Sequence, residues 1–241
     1  LASLTGLGAA AAAVPAAVAA APLAPRLEVR LSLCRPPGDP LEALLERNRR
    51  FSALWQEAAR QQGTRVRSHQ LAEVWQQGCQ LNPVALAAGQ RPWAALLGCA
   101  DSRVSPEWLF ACGPGELLEV RSAGNTAADA CVASLEYAVA ELAVPLILVL
   151  GHSGCGAVQA ALGHGTLTPL LSDLVRPIRA ALPAARSAAA VTPDEAVRLN
   201  VRAAAAALPE RSSLLREAVA AGRLRIVAAV CDIGSGLVRL V

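Results

Sequence analysis

The stretch VPLILVLGHSGCGA (residues 144–157) joins a seven-residue apolar run to a glycine-rich turn that carries His152 and Cys155. A short apolar run that ends at glycine is typical of a strand buried on both faces of a sheet. A second stretch, WAALLGCADSRV (residues 93–104), brings another apolar run to Cys99 and Asp101. Both polar motifs therefore follow strand ends, and open α/β sheets bind their ligands at the carboxyl ends of the strands.

Predicted strands and helices alternate along the rest of the chain. Apolar runs predict further strands at 117–121 and 224–230. Capping residues and helical spacing predict three helices, which begin at Asn125 or Thr126, at the capping box Thr192-Pro193-Asp194-Glu195 (ending near Leu208), and at Ser212 or Ser213 (ending near Gly222). The alternation predicts an α/β fold with a mostly parallel sheet of about four to five strands flanked by helices.

The N-terminal part of the chain differs in composition from the rest. Residues 1–25 are uncharged and mostly Ala, like the apolar region of an export signal, with Ala19-Ala20-Ala21 as a cleavage candidate. The chain begins at Leu1 and contains no Met, so we expect the charged part of that signal to lie upstream. Residues 26–40 are interpreted as a Pro-rich linker, and the apolar spacing of residues 41–60 predicts an amphipathic N-terminal helical arm.

An export signal predicts a location in the bacterial periplasm. The alternative is a disordered Ala-rich tail on a cytoplasmic protein. The weak hydrophobicity of residues 1–25, together with Pro15 and Pro22, argues against a stable membrane span. A formal net charge of +3, with 17% charged and 3% aromatic residues, provides neither a basic patch nor a stacking surface for nucleic acid.

Cys99, Asp101, His152 and Cys155 form a candidate metal site. Two thiols and one imidazole are a normal ligand set for zinc, and Asp101 can either complete a tetrahedron or leave the fourth position to water. His152 and Cys155 are predicted to share one face of the first turn of a helix, where amide N–H groups favour a thiolate. The other cysteines are interpreted as small apolar core residues; they are Cys34, Cys79, Cys112, Cys131 and Cys231.

The two motifs and their surroundings resemble the β-class carbonic anhydrases, and the similarity covers the chain from about Leu41 to its C-terminus. The matching segments are Gly89-Gln90-Arg91-Pro92, Cys99 to Val104, Pro106-Glu107, Pro114-Gly115-Glu116-Leu117, Val120 to Asn125, Gly151 to Val158, Asn200-Val201 and Gly222 to Val227. The resemblance implies that Cys99, His152 and Cys155 hold Zn²⁺.

Asp101 and Arg103 match a dyad of that family. In members with an open site, the Arg pairs with the Asp and keeps it off the metal, whereas in a closed site the Asp is the fourth ligand. The pairing is also chemically reasonable here, because an Arg two residues from a carboxylate can bind it through two donors. The resemblance leaves the open and the closed site as alternatives for this chain.

Three more residues are candidates for contact with substrate or an anion. Gly124 is placed at the floor of the pocket, and Val104 and Arg121 match residues that hold an inhibitory bicarbonate in some regulated members. Those members also use a Tyr, in a Tyr-Asp pair after the last strand, that this chain replaces with Cys231-Asp232. The departure favours an open, unregulated site.

The resemblance implies a zinc carbonic anhydrase that converts carbon dioxide reversibly to bicarbonate and a proton. It also implies a homodimer or larger oligomer in which the N-terminal arm packs across the partner subunit, and an ordinary core-facing helix is the alternative for that arm. Two other functions stay open: hydrolysis of carbon disulfide or carbonyl sulfide on the same scaffold, and a catalytically silent zinc subunit of an assembly. His69 and His164 are expected in exposed loops and are given no role.

Overall fold

The structure, a computed structural model, describes residues 36, 38–60, 83–183 and 191–241. The predicted export segment at 1–25 lies outside these residues, as does most of the linker at 26–40. His69, Cys34 and Cys79 lie outside them as well. Within the described ranges, no helix combines the length and the apolar character that a membrane crossing requires.

The core of the fold is one five-stranded sheet. Its strands are β1 (Ala94–Cys99), β2 (Leu117–Ser122), β3 (Leu146–His152), β4 (Arg225–Asp232) and β5 (Leu237–Leu240). They lie in the order β2-β1-β3-β4-β5, with the first four parallel and β5 antiparallel to β4. The prediction of an α/β fold with a mostly parallel sheet is confirmed.

Eight helices surround this sheet in the part of the chain that the structure describes. They are α1 (Pro40–Arg60), α2 (Pro83–Ala88), α3 (Pro106–Leu109), α4 (Asp129–Ala140), α5 (Gly156–Leu162), α6 (Pro169–Ala180), α7 (Pro193–Arg211) and α8 (Ser213–Ala220). A single 3₁₀ turn, Ala123–Asn125, joins β2 to the chain that leads into α4.

The two central strands explain the apolar runs in the sequence. Every residue of β1 and β3 is buried. Alternate side chains face opposite sides of the sheet: Ile147 and Val149 pack among residues of α4 to α8, whereas Leu146 and Leu148 pack among residues of α1, α3 and β5. Because both faces are covered, these strands need unbroken apolar sequence instead of alternation with polar residues.

Helix α1 packs against its own chain. The side-chain amide of Asn48 donates to the carbonyls of Leu109 (3.2 Å) and Gly236 (2.9 Å), and its oxygen accepts from the N–H of Val238 (2.8 Å). Arg47 adds an ion pair to the buried carboxylate of Glu116 at 3.0 Å. The N-terminal arm is therefore hydrogen-bonded to α3 and to strand β5 of the same chain.

The observed N-terminal ends of the helices agree with two of the predictions and correct a third. Thr192 and Ser212 cap α7 and α8 as expected, since their hydroxyls accept from the N–H groups of Glu195 and Leu215. The prediction that Asn125 or Thr126 caps the next helix is wrong, because α4 begins at Asp129 after Ala128. Gly124 and Asn125 instead have positive φ angles in the 3₁₀ turn, a conformation that cannot continue into a helix.

Candidate metal centre

The candidate metal ligands meet at the C-terminal edge of the two central strands. Cys99 is the last residue of β1 and His152 the last residue of β3, and β2 and β4 lie on opposite sides of this pair. That is the place in an open parallel sheet where a crevice for ligands forms. The sulfurs of Cys99 and Cys155 and a ring nitrogen of His152 lie within 4.8 Å of one another, and all three residues are buried.

The local path of the second motif differs from the prediction. His152 still belongs to β3, and Cys155 is the residue that caps α5, so the two do not share a helical turn. They converge because Ser153 and Gly154 form a turn, with Gly154 at φ +64°. The hydrogen bond with Cys99 and burial raise the pKa of the Cys155 thiol, and the N–H groups of Ala157 and Val158 at the helix start only partly offset that rise.

One nitrogen of His152 is directed toward the cluster and makes no hydrogen bond to any described residue. Nδ1 lies 3.0 Å from the carbonyl oxygen of Ser153, which can only accept, so Nδ1 carries the proton. Nε2 therefore presents a lone pair, and it is buried with no hydrogen-bond partner among the described residues. A buried imidazole nitrogen in that state is suited to bind a metal ion.

The two thiols are hydrogen-bonded to each other. Their sulfurs are 3.9 Å apart, and the N–H of Gly124 donates to Cys99 Sγ at 3.2 Å. The hydrogen bond from the Cys155 thiol is the main cause that lowers the pKa of Cys99, and holding that proton raises the pKa of Cys155. Thiolate and imidazole donors at this spacing fit zinc by their chemistry.

Asp101 is bound by Arg103 and lies outside the three-residue cluster. Its Oδ1 accepts from the N–H (3.0 Å) and Nε (2.9 Å) of Arg103, and its Oδ2 accepts from Nη2 at 2.7 Å. These bonds hold the pKa of the Asp101 carboxyl well below its usual range. Oδ2 is also 3.8 Å from Nε2 of His152, so the carboxylate borders the space that the metal ligands surround.

Gly124 closes the other side of the cluster, and the structure shows why glycine is needed there. Its φ is +68°, and an added Cβ would lie 2.7 Å from Cδ1 of Ile178. Its carbonyl accepts a hydrogen bond from Nδ2 of Asn200 at 2.9 Å. Sequence reasoning assigned Asn200 no role, although a polar residue on the buried face of α7 is a signal that could have identified it.

Val104 and Arg121 lie together beside the first motif. Arg121 donates to the main-chain carbonyls of Cys99, Asp101 and Val104 at 3.0, 2.8 and 2.7 Å. The carbonyl of Val104 is thus bonded to Arg121 itself. Gly124, by contrast, contacts the cluster directly through its N–H.

The chain matches known proteins in sequence as well as in fold. The family described as carbonic anhydrase matches residues 94–238. The chain belongs to the carbonic anhydrase family. Carbonic anhydrase 2 of Mycobacterium tuberculosis is 42% identical over 155 residues, which are 63% of this chain and 75% of that protein.

The solved structures identify the β class. A β-carbonic anhydrase from Coccomyxa, in complex with acetazolamide, is similar with a TM-score of 0.60 and 32% identity, over 66% of this chain and 76% of that one. One of two tetrameric β-carbonic anhydrases from Sordaria macrospora is similar with a TM-score of 0.57 and 27% identity, over 65% and 83%. The members of this family are carbonate dehydratases, so the chain is an enzyme of that class.

Cys231 occupies the position at which the resemblance to regulated members implies a Tyr. It lies in the core of this β-carbonic anhydrase, and burial raises the pKa of its thiol to about 12. Cys112 and Cys131 are buried as well, as expected for small apolar core residues, and His164 is exposed.

Proposed function

We propose that this chain catalyses the reversible hydration of carbon dioxide to bicarbonate and a proton, with Zn²⁺ held by Cys99, His152 and Cys155. The observation that carries the proposal is the buried cluster of two sulfurs and an imidazole whose Nε2 has no hydrogen-bond partner among the described residues. Membership of the family supports carbon dioxide as the substrate over carbon disulfide or carbonyl sulfide.

We infer an open site, in which Asp101 is not a ligand. Two donors of Arg103 bind both oxygens of the carboxylate, and the same guanidinium donates to the carbonyl of Gly154 at 3.2 Å. This additional hydrogen bond connects the two motifs and fixes the orientation of the Arg103 guanidinium. To ligate the metal, Asp101 would have to give up charge-assisted hydrogen bonds that it already has.

The chain's own residues then have separate tasks. When bound, zinc supplies a Lewis acid that lowers the pKa of water and so provides the nucleophile for carbon dioxide. Asp101, ionised because of Arg103, can only accept hydrogen bonds, and it orients the attacking water. His152 keeps one tautomer through Ser153, and the N–H of Gly124 stabilises the Cys99 thiolate.

The donor set also sets the expected pH dependence. Two thiolates and a neutral imidazole cancel the formal charge of the metal, so the acidity of the attacking water is weaker than with three neutral ligands. We therefore expect activity to rise toward alkaline pH.

Stopped-flow measurement of carbon dioxide hydration by the zinc-loaded full chain tests the proposal directly. A parallel assay with carbon disulfide and a zinc determination on the same sample separate the alternatives. Hydration well above the buffer rate, with about one zinc per chain, is the expected result. Zinc-loaded protein without hydration activity would refute the proposal, and carbon disulfide turnover in that sample would favour the alternative hydrolase.

Assembly and location are further parts of the proposal. We propose a homodimer or larger oligomer, supported by the tetrameric state given for the Sordaria macrospora neighbour. Light scattering of the purified chain that gives a monomer mass would refute this. We also propose export to the periplasm, supported by the uncharged segment 1–25. Cell fractionation of the expressed protein would refute export if only untrimmed cytoplasmic protein were found.

A further inference from the structure

Cys99, the first metal ligand, is the last residue of β1, and residues 100–104, which carry the dyad, follow it without helix or strand. We call residues 99–104 the ligand loop. Its main chain is bonded to itself only through the N–H of Val104, which donates to the carbonyl of Asp101 at 3.1 Å. The N–H of Ala100 donates to the carbonyl of Ser122 at 3.1 Å, which continues the pairing with β2 for one residue. Other groups must therefore fix the loop.

Arg121, on β2, supplies most of that support. Three of the loop's carbonyls point to its guanidinium: Cys99 to Nε, and both Asp101 and Val104 to Nη2. The three carbonyls span the whole loop, from the metal ligand to the residue after the dyad. A guanidinium is a planar fork of donors, so one Arg can bridge acceptors that a single ammonium cannot.

The position of Arg121 makes this support specific to the site. The carbonyl of Asp101 accepts from Arg121 while its carboxylate accepts from Arg103, so two guanidiniums hold one residue from two sides. In the sheet register, Arg121 pairs with Gly98, directly before Cys99. A shift of the loop would move the Cys99 sulfur and the Asp101 carboxylate together.

We propose that Arg121 is a positioning residue: its guanidinium clamps the carbonyls of the ligand loop and so fixes Cys99 and Asp101 relative to His152. The proposal rests on the proposed function for its kinetic effect, and on the geometry of the loop for its effect on metal retention. It differs from the role in bicarbonate binding that the resemblance implies for Val104 and Arg121. Here these two residues bind each other, and Nε and Nη2 of Arg121 are directed to the main chain.

Two substitutions distinguish a clamp from a charge. Arg121→Lys keeps the positive charge and loses the fork, whereas Arg121→Met loses both and keeps a long side chain. If Arg121 is a clamp, both variants should release zinc to a chelator about 10–100-fold faster and lose kcat by a similar factor. KM for carbon dioxide should change little, because Arg121 does not touch substrate in this proposal. Arg198→Met, at an exposed position on α7, is the matched control and should behave like the unsubstituted protein.

Two results would overturn the proposal for Arg121. Arg121→Lys with normal zinc release and normal kcat would overturn the clamp, because charge alone would then suffice. Variants that keep normal kcat and zinc release but lose inhibition by added bicarbonate would overturn it in favour of the anion role.

A third measurement keeps the test independent of activity. Hydrogen exchange of the full-length chain, followed by mass spectrometry, should show faster exchange in residues 100–104 of Arg121→Lys and unchanged exchange in α7. If exchange in Arg121→Lys changed by the same factor in all segments, residues 100–104 included, the clamp would be overturned. This result would count even if Arg121→Met failed to fold. If the unsubstituted protein had no hydration activity, the proposed function would fail, while zinc release and hydrogen exchange would still decide the clamp.

Discussion

Replacing Gly124 with Ala adds a methyl group where the metal centre has no room for one. The residue has φ +68°, and the new Cβ would lie 2.7 Å from Cδ1 of Ile178 and 3.0 Å from Cβ of Ala157. Ile178 is completely buried, so it cannot turn away into solvent. The substitution therefore combines a strained backbone with overpacking.

The size of the effect follows from these two causes. A left-handed conformation costs a residue with a Cβ about 1–2 kcal/mol. Overpacking of a filled core costs about 1–3 kcal/mol more. Ala recovers about 0.4–1 kcal/mol by restricting the unfolded chain. The free energy of unfolding should thus fall by about 1–4.6 kcal/mol, which for a chain of this length lowers Tm by about 2–18 °C.

A second effect is expected at the metal. The N–H of Gly124 donates to Cys99 Sγ, and a shift of the turn away from Ile178 would lengthen that hydrogen bond. Loss of such a contact to a ligand should speed zinc release about 10-fold. The fall in Tm should therefore be accompanied by faster metal loss.

Two control glycines separate the causes. Gly222 has φ +67°, and a Cβ added there would meet no atom within 4 Å, so Gly222→Ala measures the backbone cost alone. Gly165 has neither constraint, so Gly165→Ala should be neutral. Thermal melts of the zinc-loaded proteins and zinc release to a chromophoric chelator are the assays. If Gly124→Ala had the same Tm as Gly222→Ala and released zinc as slowly as the unsubstituted protein, the steric and metal arguments would both be refuted.

Cys99→Ser and Cys155→Ser should each lose most of the zinc and melt at lower temperature, because metal binding and folding are coupled; stoichiometric zinc in either purified variant would remove that residue from the ligand set. Asp101→Asn and Arg103→Ala should keep zinc but lose most of the hydration rate, the first because an amide orients water poorly and the second because the freed carboxylate can turn to the metal. An unchanged stopped-flow rate in Asp101→Asn at alkaline pH would contradict the open site. Burial raises the pKa of Glu119 to about 7, so ionisation of this carboxyl is less favourable in the folded than in the unfolded chain, and the free energy of unfolding falls as pH rises from the ordinary value of 4.5 to about 7. Glu119→Gln should therefore melt higher than the unsubstituted protein at about pH 8 and similarly at about pH 5, and equal Tm values at both would count against the raised pKa.

The strands that hold the ligands were predictable because their signal is local. Buried parallel strands require continuous apolar sequence, and residues 94–99 and 146–150 supply it. The helix caps at Thr192 and Ser212 were predictable for a similar reason, since each depends on a hydroxyl and an N–H three residues away. The failure at Asn125 has the opposite cause. Its conformation is set by packing of the preceding turn against α5, α6 and α7.

The sequence by itself determined which residues make the candidate metal site, because two thiols and an imidazole at two strand ends are a zinc set whichever way the loops run. Only the tertiary structure showed which groups surround those residues. It turned Asp101 toward Arg103 and placed Asn200, 76 residues from Gly124, behind the turn that donates to Cys99. It also brought Arg121 to the carbonyls of the ligand loop. Hydrogen bonds between residues distant in sequence depend on how elements pack, and no local pattern encodes that packing.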